Sequence, residues 1–219
     1  MTDELAALRA AYAEVVAVAC TLDEPASWQP SGCTGWAVRD LVFHLLCDAQ
    51  RGLVALATPA TGEPDRDAVT YWRDAPGRED PDSGNLRATR TMASAWRLAP
   101  LVDTFADTAR AVLTVAQRTD PDARVATQGH VLRVQDLCAT LAVEAAVHHL
   151  DLVAALDRPG PGPVALALVR RTLDGLLGRP VPVPWDDETW ARAGTGRREL
   201  TPAERQALGA DADRLPLLR

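Results

Sequence analysis

Leu141-Ala-Val-Glu144-Ala-Ala-Val-His148-His149-Leu-Asp151-Leu-Val153 is the stretch from which the remainder of the chain is best read. Its apolar residues predict a helix, and successive residues on a helix turn by about 100°, so positions i, i+4 and i+7 share one narrow face. Glu144, His148 and Asp151 have that spacing. A carboxylate, an imidazole and a second carboxylate would therefore point the same way from a largely apolar surface. Burying such a row is costly unless water, hydrogen-bond partners or a cation satisfies it. Histidine nitrogen and glutamate oxygen are both ordinary zinc ligands, so a divalent cation is an economical answer.

Two ligands on one helix do not close a metal site, and the third has to come from elsewhere. His44, one of four histidines, sits mid-helix in Val42-Phe43-His44-Leu45-Leu46. A lone histidine so placed is more often a core residue; the Glu144/His148 row makes it a candidate ligand. Helical bundles project ligands inward from facing helices, and His44, Glu144 and His148 would leave one coordination position open. His149 lies about 100° from the His148 face and reads as structural. His130 reads as an exposed loop residue, Cys47 as a small core residue, and Asp48 as a partner of the site or a polar group at its mouth. Trp36 anchors a helix start, and Arg39 and Asp40 read as first-turn surface charges.

Outward from that row, apolar periodicity predicts helices over residues 3–20 with Asp3 as N-cap, 36–58, 85–118 and 134–157. The third is expected to kink or break at Pro100. Residues 23–35 read as a loop, and a polar stretch runs to Asp82, with the apolar island Ala68-Val-Thr-Tyr-Trp72 as a lid or short strand. Residues 124–133 read as a hairpin-like connection around Gln128-Gly129. The fold class expected is all-α, a four-helix bundle over residues 1–157. A C-terminal extension, 158–219, is expected to pack on it: a proline-rich linker, a helix over 164–177, one or two strands over 189–200 broken by Gly194 and Gly196, and a capped turn at Thr201-Pro-Ala-Glu204.

Composition bounds the function classes. The chain is 219 residues, 47% hydrophobic and 24% charged, the balance of a globular domain. No apolar run approaches the roughly 18 residues of a membrane span, and the acidic N-terminus lacks a signal-peptide pattern, so a cytoplasmic protein is expected. All basic residues are arginine, isoleucine is absent, and the formal net charge is −7, which argues against a nucleic-acid surface. The four cysteines form no CxxC pair and are expected to be reduced and mostly buried.

Gly35-Trp36-Ala-Val38-Arg39-Asp40-Leu41-Val42-Phe-His44-Leu45 resembles the first metal-binding helix of the maleylpyruvate isomerase N-terminal, mycothiol-dependent branch of the DinB-like superfamily. Glu144-x-x-x-His148-x-x-Asp151-Leu152 resembles its second, and the resemblance covers most of residues 1–157. Gly194 to Leu200 and the Arg214-Leu-Pro-Leu-Leu ending look like the short tails of actinobacterial members; maleylpyruvate isomerases proper have a larger C-terminal domain. The resemblance implies a DinB-like bundle holding a divalent metal on His44, Glu144 and His148, usually zinc, with nickel, iron or manganese also compatible with the donors. It implies mycothiol as co-substrate, its thiolate attacking a small-molecule electrophile in a transferase or a cis–trans isomerase. In that setting Asp151 would orient a ligand imidazole, and Arg197 or Arg198 would contact a substrate carboxylate. A monomer or homodimer is expected. The same residues would also suit a non-catalytic metal-bearing module, a hydrolase with zinc-bound water, or a metal-free bundle in which they hydrogen-bond to one another.

Overall fold

The computed structural model describes residues 1–74 and 84–218. In chain order its helices are α1 (Asp3–Ala19), α2 (Glu24–Ser27), α3 (Val38–Leu56), α4 (Gly84–Ser94), α5 (Leu98–Arg118), α6 (Val134–Leu152), α7 (Pro163–Leu177), α8 (Asp187–Gly194) and α9 (Pro202–Leu208). Strands β1 (Arg124–Thr127) and β2 (His130–Arg133) form an antiparallel hairpin between α5 and α6. Helices α1, α3, α5 and α6 make the expected four-helix bundle, α1 packing most extensively on α6 and α3 on α5. The core is a single apolar cluster: Leu8, Val15, Leu41, Leu45, Phe105, Leu137 and Leu141 from the bundle join Val169, Leu173 and Trp190 from the C-terminal third. Helix α7 lies against both α1 and α6.

Local chemistry sets the boundaries. Thr2, not Asp3, caps α1, its hydroxyl accepting the Leu5 N–H at 3.3 Å. The segment read as a loop over 23–35 contains the short helix α2, because Asp23 takes the Ala26 N–H at 2.8 Å and Pro25 suits a first turn. The hairpin turns on Gln128 and Gly129, both at positive φ (48° and 81°), the left-handed pair that a two-residue turn requires. His130 is no loop residue: it opens β2, half-buried, with Nδ1 2.8 Å from Asp65 Oδ2. The Ala68–Trp72 island contributes to a 3-10 helix, Thr70–Asp74, that packs on α7. The polar stretch from 75 to Asp82 lies outside the described residues.

Two further expectations are corrected. The long third helix breaks at 95–97, and Pro100 sits in the first turn of α5, where its missing N–H removes no hydrogen bond. Residues 187–194 are helical rather than extended. Asp186 caps α8 by accepting the Thr189 N–H at 2.7 Å, and Glu188 pairs with Arg192 one turn on. Gly194 marks the end of that helix, and Trp190 on it is fully buried, its indole N–H donated to Asp174 at 2.9 Å.

The break before α5 has a side-chain cause. Arg39, expected on the surface, is completely buried, and so almost entirely is Asp40. Arg39 Nη1 donates to Glu24 Oε1 at 2.8 Å and Nη2 to the Trp96 carbonyl, while Glu24 Oε2 accepts the Leu98 N–H at 2.9 Å. One ion pair thus ties α2 and α3 to both sides of the break. Replacing Arg39 by Ala should cost on the order of 3 kcal/mol, moderated because Glu24 keeps half its side chain in solvent. Urea denaturation of the variant beside the wild type measures that loss; a change below about 0.5 kcal/mol would mean the pair is incidental.

Candidate metal and thiol site

His44 stands at the middle of α3, and Glu144, His148 and Asp151 lie on the facing surface of α6. His44 Nε2 is 3.1 Å from Glu144 Oε1, and His148 Nε2 is 3.4 Å from the same oxygen. The three ligand atoms all lie within 4.8 Å of one another. Donor atoms on a tetrahedral ion with bonds of about 2.0–2.1 Å sit roughly 3.4 Å apart, so this donor set fits such an ion with little movement. Side-chain exposures of 26% for His44, 22% for Glu144 and 14% for His148 leave the cluster open to solvent on one side. The Trp36 ring packs on the His44 ring at 5.2 Å between centroids, which fixes that imidazole from behind.

Asp151 organises the other side of His148. Its Oδ2 is 3.0 Å from His148 Nδ1, and Arg197 grips the carboxylate with Nε at 2.8 Å from Oδ1 and Nη2 at 2.5 Å from Oδ2. An ionised carboxylate only accepts, so Nδ1 carries a proton and Nε2 is turned toward Glu144 and the open cluster. Burial alone would raise the Asp151 pKa, but the His148 hydrogen bond and the Arg197 charge bring it down to about 2. Burial likewise opposes the Glu144 charge, yet the hydrogen bonds from His148 and His44 hold its carboxyl well below the usual range. His148 responds in the opposite sense: burial lowers its pKa, but Asp151, Cys33 and Glu144 together raise it well above the ordinary value. Without an ion the two carboxylates therefore favour the protonated form of the ring.

The sequence-based candidates are thus brought together. Arg197 reaches the cluster from the turn after α8, engaged with Asp151 rather than pointing to open solvent. Arg198 is drawn away, pairing with Glu204 and lying over the Trp185 ring. Asp48 is buried and bound to Arg51, which also reaches Thr127 at 3.3 Å and so ties α3 to the hairpin. The four cysteines are free, as expected, but the expectation that they are mostly core residues fails. Only Cys138 is buried in the core, Cys20 and Cys47 are exposed, and Cys33 belongs to this cluster. Its Sγ donates to Asp151 Oδ2 at 3.3 Å and lies 3.8 Å from His148 Nδ1. What brings it there is Gly32, whose N–H donates to the Asp151 carbonyl at 2.8 Å. A Cβ on Gly32 would lie 2.6 Å from Asp151 Oδ1 and 2.9 Å from its Cα, so no side chain fits. The glycine-flanked run Gly32-Cys33-Thr34-Gly35 just before the His44 helix was the available signal.

A profile of the mycothiol maleylpyruvate isomerase N-terminal domain family matches residues 8–153. The chain belongs to this family. Among solved structures, it is similar to the crystal structure of a mycothiol-dependent maleylpyruvate isomerase: TM-score 0.54, 16% identity, covering 78% of this chain and 68% of that one. A histidine-to-alanine mutant of a mycothiol-dependent maleylpyruvate isomerase gives the same figures. At that identity the likeness establishes the fold, a DinB-like bundle. Among curated proteins, none matches. No helix among the described residues is long and apolar enough to cross a membrane.

His149, on the same helix, is a core residue, 1% exposed. Neither ring nitrogen makes a hydrogen bond of normal geometry. Burial lowers its pKa to about 4, offset only in part by the Pro159 backbone. The folded pKa lies below the unfolded value near 6.5, so the unfolded chain binds more protons between those limits and stability falls as pH drops through them. The wild type should lose up to about 3 kcal/mol more than His149→Phe between pH 7 and pH 4. Parallel pH–stability curves for the two proteins would refute this assignment.

Proposed function

We propose that the protein is a metal-dependent enzyme that uses mycothiol as co-substrate, directing the thiol at a small electrophile as an S-transferase or a thiol-assisted cis–trans isomerase. The observation that carries this reading is the His44/Glu144/His148 donor set at metal-ligand spacing, backed by the Asp151–Arg197 pair. Membership of the family supports mycothiol as the thiol. A divalent cation on these three side chains would supply the Lewis acidity that keeps a thiol as thiolate, its nucleophilic form, at neutral pH.

The chain's own residues do the rest. Asp151 holds the His148 ring in the tautomer that offers Nε2, and Arg197 keeps Asp151 ionised. Trp36 and the apolar face of α3 limit rotation of His44. Solvent access on one side of the cluster leaves room for thiol and electrophile. In an isomerisation the sulfur adds to an activated double bond, whose electrons move onto its electron-withdrawing group; the resulting single bond rotates and the sulfur leaves again. In a transfer the conjugate is released.

Purified protein should carry near-stoichiometric zinc, with metal and mycothiol binding both falling in His148→Ala. Reconstituted wild type that holds no metal and binds no mycothiol would end the proposal. Asp151→Asn should weaken metal affinity roughly 10–100-fold while leaving all three ligands in place. Because Asp151, Cys33 and Glu144 raise the pKa of the ion-free His148, metal binding should release a proton and tighten as pH rises. Calorimetry in two buffers of different ionisation enthalpy reads that proton directly.

A further inference from the structure

The turn that carries Arg197 is held from behind by another segment of the chain, Pro216–Leu218. Helix α8 ends at Gly194, whose carbonyl, like the last carbonyls of any helix, finds no partner within the helix. It accepts the Leu217 N–H at 2.8 Å and the Leu218 N–H at 3.4 Å. Two residues on, Gly196 stands at positive φ (73°), and a Cβ there would lie 3.2 Å from Pro216. The segment is anchored on both sides. Leu218 is buried in the core, and Arg214 donates to the Leu177 and Leu176 carbonyls at the end of α7, at 2.8 and 3.1 Å.

We propose that Pro216–Leu218 is a positioning element of the metal site: it fixes the turn after α8 in the conformation that delivers Arg197 to Asp151, and so sets metal affinity from outside the cluster. The inference rests on the metal reading of His44, Glu144 and His148. Arg197 and Arg198 are neighbours, yet the first grips Asp151 and the second pairs with Glu204. The backbone of the turn therefore decides which guanidinium faces α6. That backbone is tightly held, with the Arg197 N–H on the Arg192 carbonyl at 2.7 Å and Arg197 Nη1 on the Thr195 carbonyl at 3.1 Å. Pro216 bears on the residue immediately before Arg197, and Leu217 on the carbonyl from which the turn starts. A bidentate guanidinium–carboxylate pair needs both N–H groups aligned at once, so a small rotation of the turn forfeits part of it. The rotamer entropy of a long arginine opposes any single pose, which leaves the alignment to the backbone that presents it.

Chelator competition measures zinc affinity in wild type, Gly196→Ala and Leu218→Ala, each also combined with Arg197→Ala. Val112→Ala, a change at a buried position of α5, serves as the control for lost packing. Gly196→Ala and Leu218→Ala should each weaken zinc binding roughly tenfold, the loss expected of a partner beyond the ligands, while Val112→Ala leaves it unchanged. In the Arg197→Ala background the same changes should cost less than about twofold, because nothing is left to position. Equal losses in both backgrounds, or no loss from either change, would overturn the proposal. If Leu218→Ala fails to fold, Gly196→Ala carries the test. The Arg197 Nε–H resonance, assigned by its disappearance in Arg197→Ala, gives a readout that needs no metal. It should be protected from solvent exchange in wild type and exposed in Gly196→Ala and Leu218→Ala. If reconstituted wild type holds no zinc, the functional reading fails, and this proton alone decides: protection lost in the variants upholds the segment, and protection unchanged rejects it.

Discussion

The carboxylate of Asp151 is the point on which the site depends. It is 1% exposed and is held by donors from three separate parts of the chain: the His148 imidazole on its own helix, the Arg197 guanidinium after α8, and the Cys33 thiol before α3. A buried carboxylate is costly to desolvate, and a bidentate arginine is the partner that best offsets the cost. The cost is met only when the loop, α6 and the C-terminal turn are all in place. Gly32 enforces the same convergence sterically, because its backbone lies against Asp151 with no room for a side chain.

That arrangement also explains the electrostatics of the open cluster. Glu144 accepts from two imidazoles and stays ionised, and His148 lies between two negative groups. A proton satisfies that field, and so would a cation of higher charge. The apolar walls of α3 and α6 lower the local dielectric and strengthen each of these interactions.

The fold was legible where its signals are local. Apolar periodicity located the four bundle helices, and Gln128-Gly129 located the hairpin, because both depend on neighbouring residues. The Glu144/His148/Asp151 row was legible for the same reason, lying within two turns of one helix. What escaped depends on distant partners. Pro100 announces a break but not its place at 95–97, which Arg39 and Glu24 fix by taking the Trp96 carbonyl and the Leu98 N–H. Arg197 was legible as a candidate but not as the mate of Asp151, and Cys33 read as one more small apolar residue. The glycines of 194–196 look like strand breaks in sequence, yet they follow a capped helix whose Trp190 completes the core.

The position of Arg197 bears on how such a chain can diversify. The C-terminal third looks like an appendage that could be exchanged at the proline-rich linker without disturbing the bundle. Yet it supplies the cation that neutralises a charge buried in the bundle's own helix. A replacement tail that brought no guanidinium to the same place would leave the acid at 151 buried without its strongest partner. The linker therefore joins two segments that a single ion pair makes energetically interdependent.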